Sequence, residues 1–129
     1  MAALREVHKA PRYTAALRAS GIVDEDLEWW AAGDSTLLPW AGTRRGLAGI
    51  DDFSRVLGQH MRYAGFEVRE YIITPTQVAA VIFAHGTARA TGKPFASEVV
   101  RIYDFENGKI KRVRSFYDTG AYARAMQTN

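Results

Sequence analysis

Two long alternating runs joined by one tight turn constrain this chain more than any other stretch. They occupy Thr91 to Thr119, TGKPFASEVVRIYDFENGKIKRVRSFYDT. The turn falls at Glu106-Asn107-Gly108-Lys109, because Asn and Gly both tolerate the positive φ that a two-residue hairpin loop demands. Strand alternation puts Glu98, Val100, Ile102 and Asp104 on one face of the first run, and Val99, Arg101, Tyr103 and Phe105 on the other. In the second run Val113, Ser115 and Tyr117 oppose Ile110, Arg112, Arg114 and Phe116. Neither face is purely polar. Such a sheet has to be covered on both sides, by helices, a ligand cavity or another subunit.

The totals narrow the class. A chain of 129 residues suits one domain, 1–129, with one core. No apolar run reaches membrane-spanning length, and charges interrupt the N-terminal MAALREVHKAPRY, so neither a membrane partner nor a leader is expected. Cysteine is absent, which removes disulfides, a thiol nucleophile and thiolate metal sites and fits a cytoplasmic location. The net charge is +3, but the basic residues are scattered, and those from Lys109 to Arg114 alternate between faces. A nucleic-acid groove needs its charges on one surface beside stacking aromatics, so no nucleic-acid partner is expected. Three scattered histidines show no metal-ligand spacing, and no cofactor motif is present.

Read in order, residues 2–10 form a short helix or arm, and Pro11 suits the first turn of the next helix. Tyr13, Ala16, Leu17 and Ser20 share a face there, and Gly21 stops it. Asp24 to Asp26 reads as an acidic turn, then Leu27 to Ala31 as a short strand that points Trp29 and Trp30 to opposite faces. Residues 32–46 are rich in turn formers and carry Trp40, as a lid or rim would. An amphipathic helix follows, with Ile50, Phe53, Leu57 and Met61 on one stripe, His60 at its edge and Gly65 at its end. Strands are expected over 66–74, 77–90, 94–106 and 109–117. Asp118 or Thr119 then caps a last helical turn, with Tyr122, Ala125 and Met126 packing back.

LPWAGTRRGLAGIDDF, TGKPF, VVRIYDFENGKI and RSFYDT together resemble the nuclear transport factor 2-like superfamily, and more closely its SnoaL-like branch of polyketide cyclases. The resemblance runs from Tyr13 through nearly all of the chain. It implies an α+β cone, in which a strongly curved mixed or antiparallel sheet wraps helices around a deep pocket. It also implies a homodimer through the convex face, with Val81, Phe83, Val99, Tyr103 and Phe105 as the apolar surface to be covered.

For chemistry the resemblance implies buried carboxylates of raised pKa. The cyclase and epoxide-hydrolase positions are held here by Ser115, Ile82 and Ala84, none of which is a carboxylate. Tyr13 matches the helix tyrosine of steroid isomerases of this fold. Their other two catalytic positions fall near Trp29 and at Val100. With the first strand face turned inward, the cone is lined by Trp29, Ile82, Ala84, Glu98, Val100, Ile102, Ser115 and Tyr117. The helices add Tyr13, His60 and Tyr63, and the rim adds Trp40. Tyr13, Glu98 and His60 are then the candidate acid–base groups. Trp29, Trp40, Tyr63, Ile82, Val100, Ile102, Ser115 and Tyr117 are the candidate ligand contacts. The expected partner is an uncharged, apolar small molecule, handled by a cofactor-independent isomerase, cyclase or dehydratase, or by a non-catalytic carrier.

Overall fold

In the computed structural model, which describes residues 2–10 and 12–128, Asn107 and Gly108 take φ of 52° and 76°, and Glu106 pairs with Lys109 across the turn. The elements in chain order are α1 (Ala2–Lys9), α2 (Tyr13–Ala19), β1 (Val23–Ala31), β2 (Gly42–Arg45), α3 (Gly46–His60), β3 (Met61–Ile73), β4 (Gln77–Ala88), β5 (Pro94–Glu106), β6 (Lys109–Tyr117) and α4 (Thr119–Met126). Pro11 lies outside the described residues. The strands form one curved, unclosed sheet in the order β2-β1-β6-β5-β4-β3. The β1–β6 pair is parallel and the others are antiparallel, so the sheet is mixed. This is an α+β cone.

Several boundaries depart from expectation. Asp24 to Asp26 belongs to β1 rather than to a turn, and Gly42 to Arg45 pairs with β1 as an edge strand. Gly65 does not stop α3. The helix ends at His60, and β3 starts at Met61, so Tyr63 reaches the cone from a strand. Gly65 and Gly86 serve close strand crossing instead. A Cβ on Gly65 would run into the His85 imidazole, and one on Gly86 into the Arg62 carbonyl. Asp118 caps α4 through a 3.0 Å bond accepted from the Ala121 N–H.

The decisive departure sits beside the hairpin turn. Phe105 pairs with Ile110, but Asp104 pairs with Arg112, so Lys111 has no partner on β5. One extra residue on one strand is a β-bulge, and a one-residue slip exchanges the faces of everything beyond it. Tyr103 therefore pairs with Val113, Arg101 with Ser115 and Val99 with Tyr117. Without the bulge, Ile102, Val100 and Glu98 would have stood opposite those three residues. The expectation that Glu98, Val100 and Ile102 line the cone is thereby corrected. Glu98 is exposed on the convex face, with Val100 and Ile102 half-buried beside it. Val99 and Tyr103, expected outside, are core, and Phe105 packs against the core.

The concave face is filled by Leu27, Trp29, Ala80, Ile82, Ala84 and Val113, with Ile50 and Phe53 of α3 and Tyr122 of α4. Trp29 meets Phe53 at 5.0 Å between ring centroids. The convex face keeps Trp30 against Phe116, with Val81 and Phe83 half-buried and Ile72 54% and Phe116 40% exposed. Among the described residues no helix is long and apolar enough to cross a membrane.

Candidate functional site

Arg101 is the residue the site is built around. The bulge turns it inward, where it is only 6% exposed. Its Nε donates to Ser115 Oγ at 3.0 Å, a bond made across the shifted register. The guanidinium lies over the rings of Tyr13, Trp29 and Phe66, at 4.6, 5.6 and 5.8 Å to their centroids. Cation–π contacts of this kind support a desolvated charge without neutralising it. Among the described residues Arg101 has no ion-pair partner, and its Nη1 is buried with no hydrogen bond. Burial works against the charge, but the phenols of Tyr13 and Tyr103 outweigh it and push the pKa up, so Arg101 remains a cation.

Two adjacent spaces share this side chain in their walls. The inner one, about 20 Å³, is walled by Trp40, Tyr63, Val99, Arg101, Ser115, Tyr117 and Tyr122, with Phe53, Leu57 and Phe66 at its mouth. That is room for one water-sized group. The outer cleft, about 370 Å³, runs between α2, α3 and β3 and shares Phe53, Leu57, Tyr63, Phe66 and Arg101 with the inner space. Its volume falls within the usual range for small-molecule sites. Among the described residues no carboxylate lines either space.

Phenols supply the remaining polarity. Tyr63 and Tyr122 hydroxyls meet at 3.0 Å. Trp40 Nε1 donates to Tyr117 Oη at 2.9 Å, and Tyr117 donates onward to the Ala32 carbonyl. Burial raises the pKa of Tyr63, Tyr103 and Tyr122 and pushes Tyr117 up to about 12, so all four carry their protons at neutral pH. Behind them His8 of α1 bonds Tyr71 Oη through Nδ1 at 2.8 Å and Tyr103 Oη through Nε2 at 2.9 Å. Tyr103 Oη in turn bonds Tyr13 Oη. Burial, and then the charge of Arg101, lower the His8 pKa to about 4 against a weaker lift from the Leu4 backbone, so the ring is neutral at pH 7.

The structure sorts the expected residues plainly. Tyr13, Trp40, Tyr63, Ser115 and Tyr117 reach one or both spaces, Trp40 as a buried wall rather than a rim. Trp29 and Ile82 are buried beneath the site and touch neither space. Glu98, Val100 and Ile102 lie on the wrong face. His60 stands half-buried beside Trp40, 6.3 Å between ring centroids, and does not reach Tyr13. Arg101, Tyr103 and His8 were missed. The first two were assigned to the outer face. His8 sits in an N-terminal arm whose packing no periodicity announces. Among the described residues no three His, Asp or Glu side chains gather as metal ligands would.

A curved sheet enclosing helices, with an aromatic cleft ending on a few polar groups, defines a cone protein of the nuclear transport factor 2-like type. The sequence profile of the SnoaL-like domain matches residues 13–113, and the chain belongs to that family. An NTF2-like protein of unknown function from Burkholderia pseudomallei superposes with a TM-score of 0.85 at 21% identity, covering 98% of this chain and 96% of that one. A protein from Mesorhizobium loti, provisionally named a SnoaL-like polyketide cyclase, gives 0.74 at 22% identity, covering 88% and 92%. Among curated proteins, UPF0523 protein B of Dictyostelium discoideum is 24% identical over 106 residues, 78% of this chain. The chain spans 63% of that relative's length.

Proposed function

We propose that the protein binds a small molecule with an aromatic or otherwise apolar body and one acidic oxygen, seated against Arg101. The carrying observation is a buried guanidinium with an unpartnered Nη1 and, among the described residues, no carboxylate in the walls around it. The surrounding rings and phenols support the charge, but Nη1 keeps an unused donor, and an acidic oxygen there gains a charge-assisted hydrogen bond. The apolar body lies against Tyr13, Phe53, Leu57 and Phe66 in the outer cleft, and the oxygen enters toward Arg101. This changes the uncharged ligand expected from sequence into an acid or oxyanion, because Arg101 faces in and Glu98 faces out. The test is a tryptophan-fluorescence titration with benzoate, naphthoate and cinnamate beside their neutral amides. The acids should bind at least about tenfold tighter, the scale of one charge-assisted hydrogen bond. Equal affinity for acids and amides removes the proposal.

An acid–base enzyme of the isomerase or cyclase type is the second reading. The bonded Tyr13–Tyr103 pair favours it, since phenols near a cation suit stabilisation of an oxyanion. Glu98 and His60 have no place in that chemistry, as neither reaches the cleft. We also propose that a second copy covers the convex face, on Trp30, Val81, Phe83, Val100, Ile102 and Phe116 in place of Val99, Tyr103 and Phe105. Soluble monomers rarely leave so broad an apolar patch exposed. Sedimentation at tens of micromolar, an ordinary dimer range, should show twice 14.4 kDa, and a persistent monomer removes the idea.

A further inference from the structure

We propose that His8 is the proton acceptor of the site, reached through Tyr103 and Tyr13, and that the ligand is an oxygen acid of the phenol or enol class held as its oxyanion on Arg101. This rests on the reading of Arg101 as the anion-binding group. It goes further by naming the ligand's chemistry and the fate of its proton.

The geometry carries the argument. His8, Tyr103 and Tyr13 form a continuous hydrogen-bonded chain from α1 through the floor of the cone to the outer cleft. His8 and Tyr13 also stack, with ring centroids 5.3 Å apart and planes 15° from parallel. The far nitrogen of His8 is held by Tyr71, whose own ring lies 4.6 Å from the Arg5 guanidinium. Among the described residues no carboxylate meets His8, and the facing groups are Tyr13, Tyr71, Tyr103, Arg101 and, beyond Tyr71, Arg5. A buried imidazole placed between two phenols has one donor and one acceptor site in its neutral form. With the ring proton on Nδ1, every hydroxyl from the ligand inward donates toward Nε2.

The transfer then balances. The ligand O–H bond breaks and its electron pair stays on the oxygen, facing Arg101. Tyr13 takes that proton and passes its own to Tyr103. Tyr103 passes its own to His8 Nε2. The chain ends as an oxyanion and an imidazolium, with all its hydrogen bonds reversed and both phenols neutral again. The ligand anion also answers Arg101, whose charge is, after burial, the second influence that keeps the imidazole neutral. Oxygen acids suit this path because each transfer runs between oxygens or to nitrogen, at the pairs where general acid–base relays are fast.

The experiment uses the full chain with 4-nitrophenol and benzoate as probes, at a pH below the nitrophenol's own pKa. Absorbance reads the ionisation of bound nitrophenol, and calorimetry in two buffers of different ionisation enthalpy counts protons released. Wild type should bind nitrophenol as phenolate with close to no proton released. Benzoate, already ionised, should bind with a proton taken up. His8→Gln should bind benzoate without uptake, and should either hold nitrophenol protonated or release a full proton per site. Tyr13→Phe, at a half-buried position, should keep the proton uptake with benzoate, because His8 also borders a second cleft, of about 440 Å³, beside Lys9 and Gly65. It should slow the appearance of bound phenolate in rapid-mixing absorbance, and its retained benzoate binding guards against a folding defect. If benzoate binds through Arg101 but His8→Gln changes neither the spectrum nor the proton count, or Tyr13→Phe leaves the ionisation rate unchanged, the relay is wrong and the anion site stands. If neither probe binds to wild type, the anion site itself fails and the relay with it.

Discussion

Arg101→Met is expected to weaken binding of aromatic acids by about ten- to a hundredfold while raising the melting temperature measured without added ligand. The two effects share one cause. Losing a charge-assisted hydrogen bond to the ligand costs about 1.5–3 kcal/mol. The same charge is buried with Nη1 unpartnered, between Tyr13, Trp29 and Phe66. A methionine of similar length fills that space without a desolvation penalty, and exchanges of buried ionic groups for apolar side chains of similar volume are often neutral or stabilising by about 1–4 kcal/mol. For a domain of this size that moves the melting midpoint upward by several degrees, roughly 2–8 °C for each kcal/mol. Paired melting curves and titrations check it. A lower midpoint with binding intact would mean that Arg101 is structural, held for its packing and its bond to Ser115. Arg101→Lys should not restore affinity fully, because an ammonium cannot both keep the Ser115 bond and present a planar donor to the ligand.

Inserting one alanine between Arg112 and Val113 is expected to destabilise the protein by about 3 kcal/mol or more, in the range of the most damaging single changes. Deleting Lys111 should be far milder, because Asp104 still meets Arg112, Tyr103 still meets Val113 and Arg101 still meets Ser115 once the unpaired residue is gone. Lys111→Ala should lie within about 1 kcal/mol of wild type, since its ion pair with Asp24 at 3.6 Å is part-exposed. The insertion leaves the bulge in place and slips the rest of β6 by one residue against β5. Val113, Ser115 and Tyr117 would then turn to the convex face, and the bond between Arg101 and Ser115 would be lost. The total stability of such a domain is only about 5–15 kcal/mol, so the contrast between insertion and deletion should be plain in a denaturant melt. An insertion variant that melts like wild type would show that a second bulge absorbs the change and that the register does not set the faces.

Alternation, turn chemistry and capping are local, and they were legible. The turn at Asn107-Gly108 needed two residues tolerant of positive φ. The strands 94–106 and 109–117 followed from period-two patterning, and Asp118 from its place before a helix. Motifs spread over the chain carried the cone fold and the SnoaL-like family. Tyr13, Trp40, Tyr63, Ser115 and Tyr117 could be named as wall residues on the same footing. Which face of β5 turns inward was not local. Both faces of β5 carry apolar residues, so hydrophobicity alone could not choose between Glu98-Val100-Ile102 and Val99-Arg101-Tyr103. One unpaired residue, Lys111, made the choice, and a bulge leaves almost no trace in composition or period. The same limit hid the functional cluster. His8 meets Tyr103 across 95 positions of sequence and Tyr71 across 63. Arg101 reaches Ser115 only in the shifted register. The sequence by itself determined the elements, the turn and the family, because these depend on neighbours a few residues apart. Only the tertiary structure decided the charge of the pocket, because that depended on a one-residue offset summed along two paired strands.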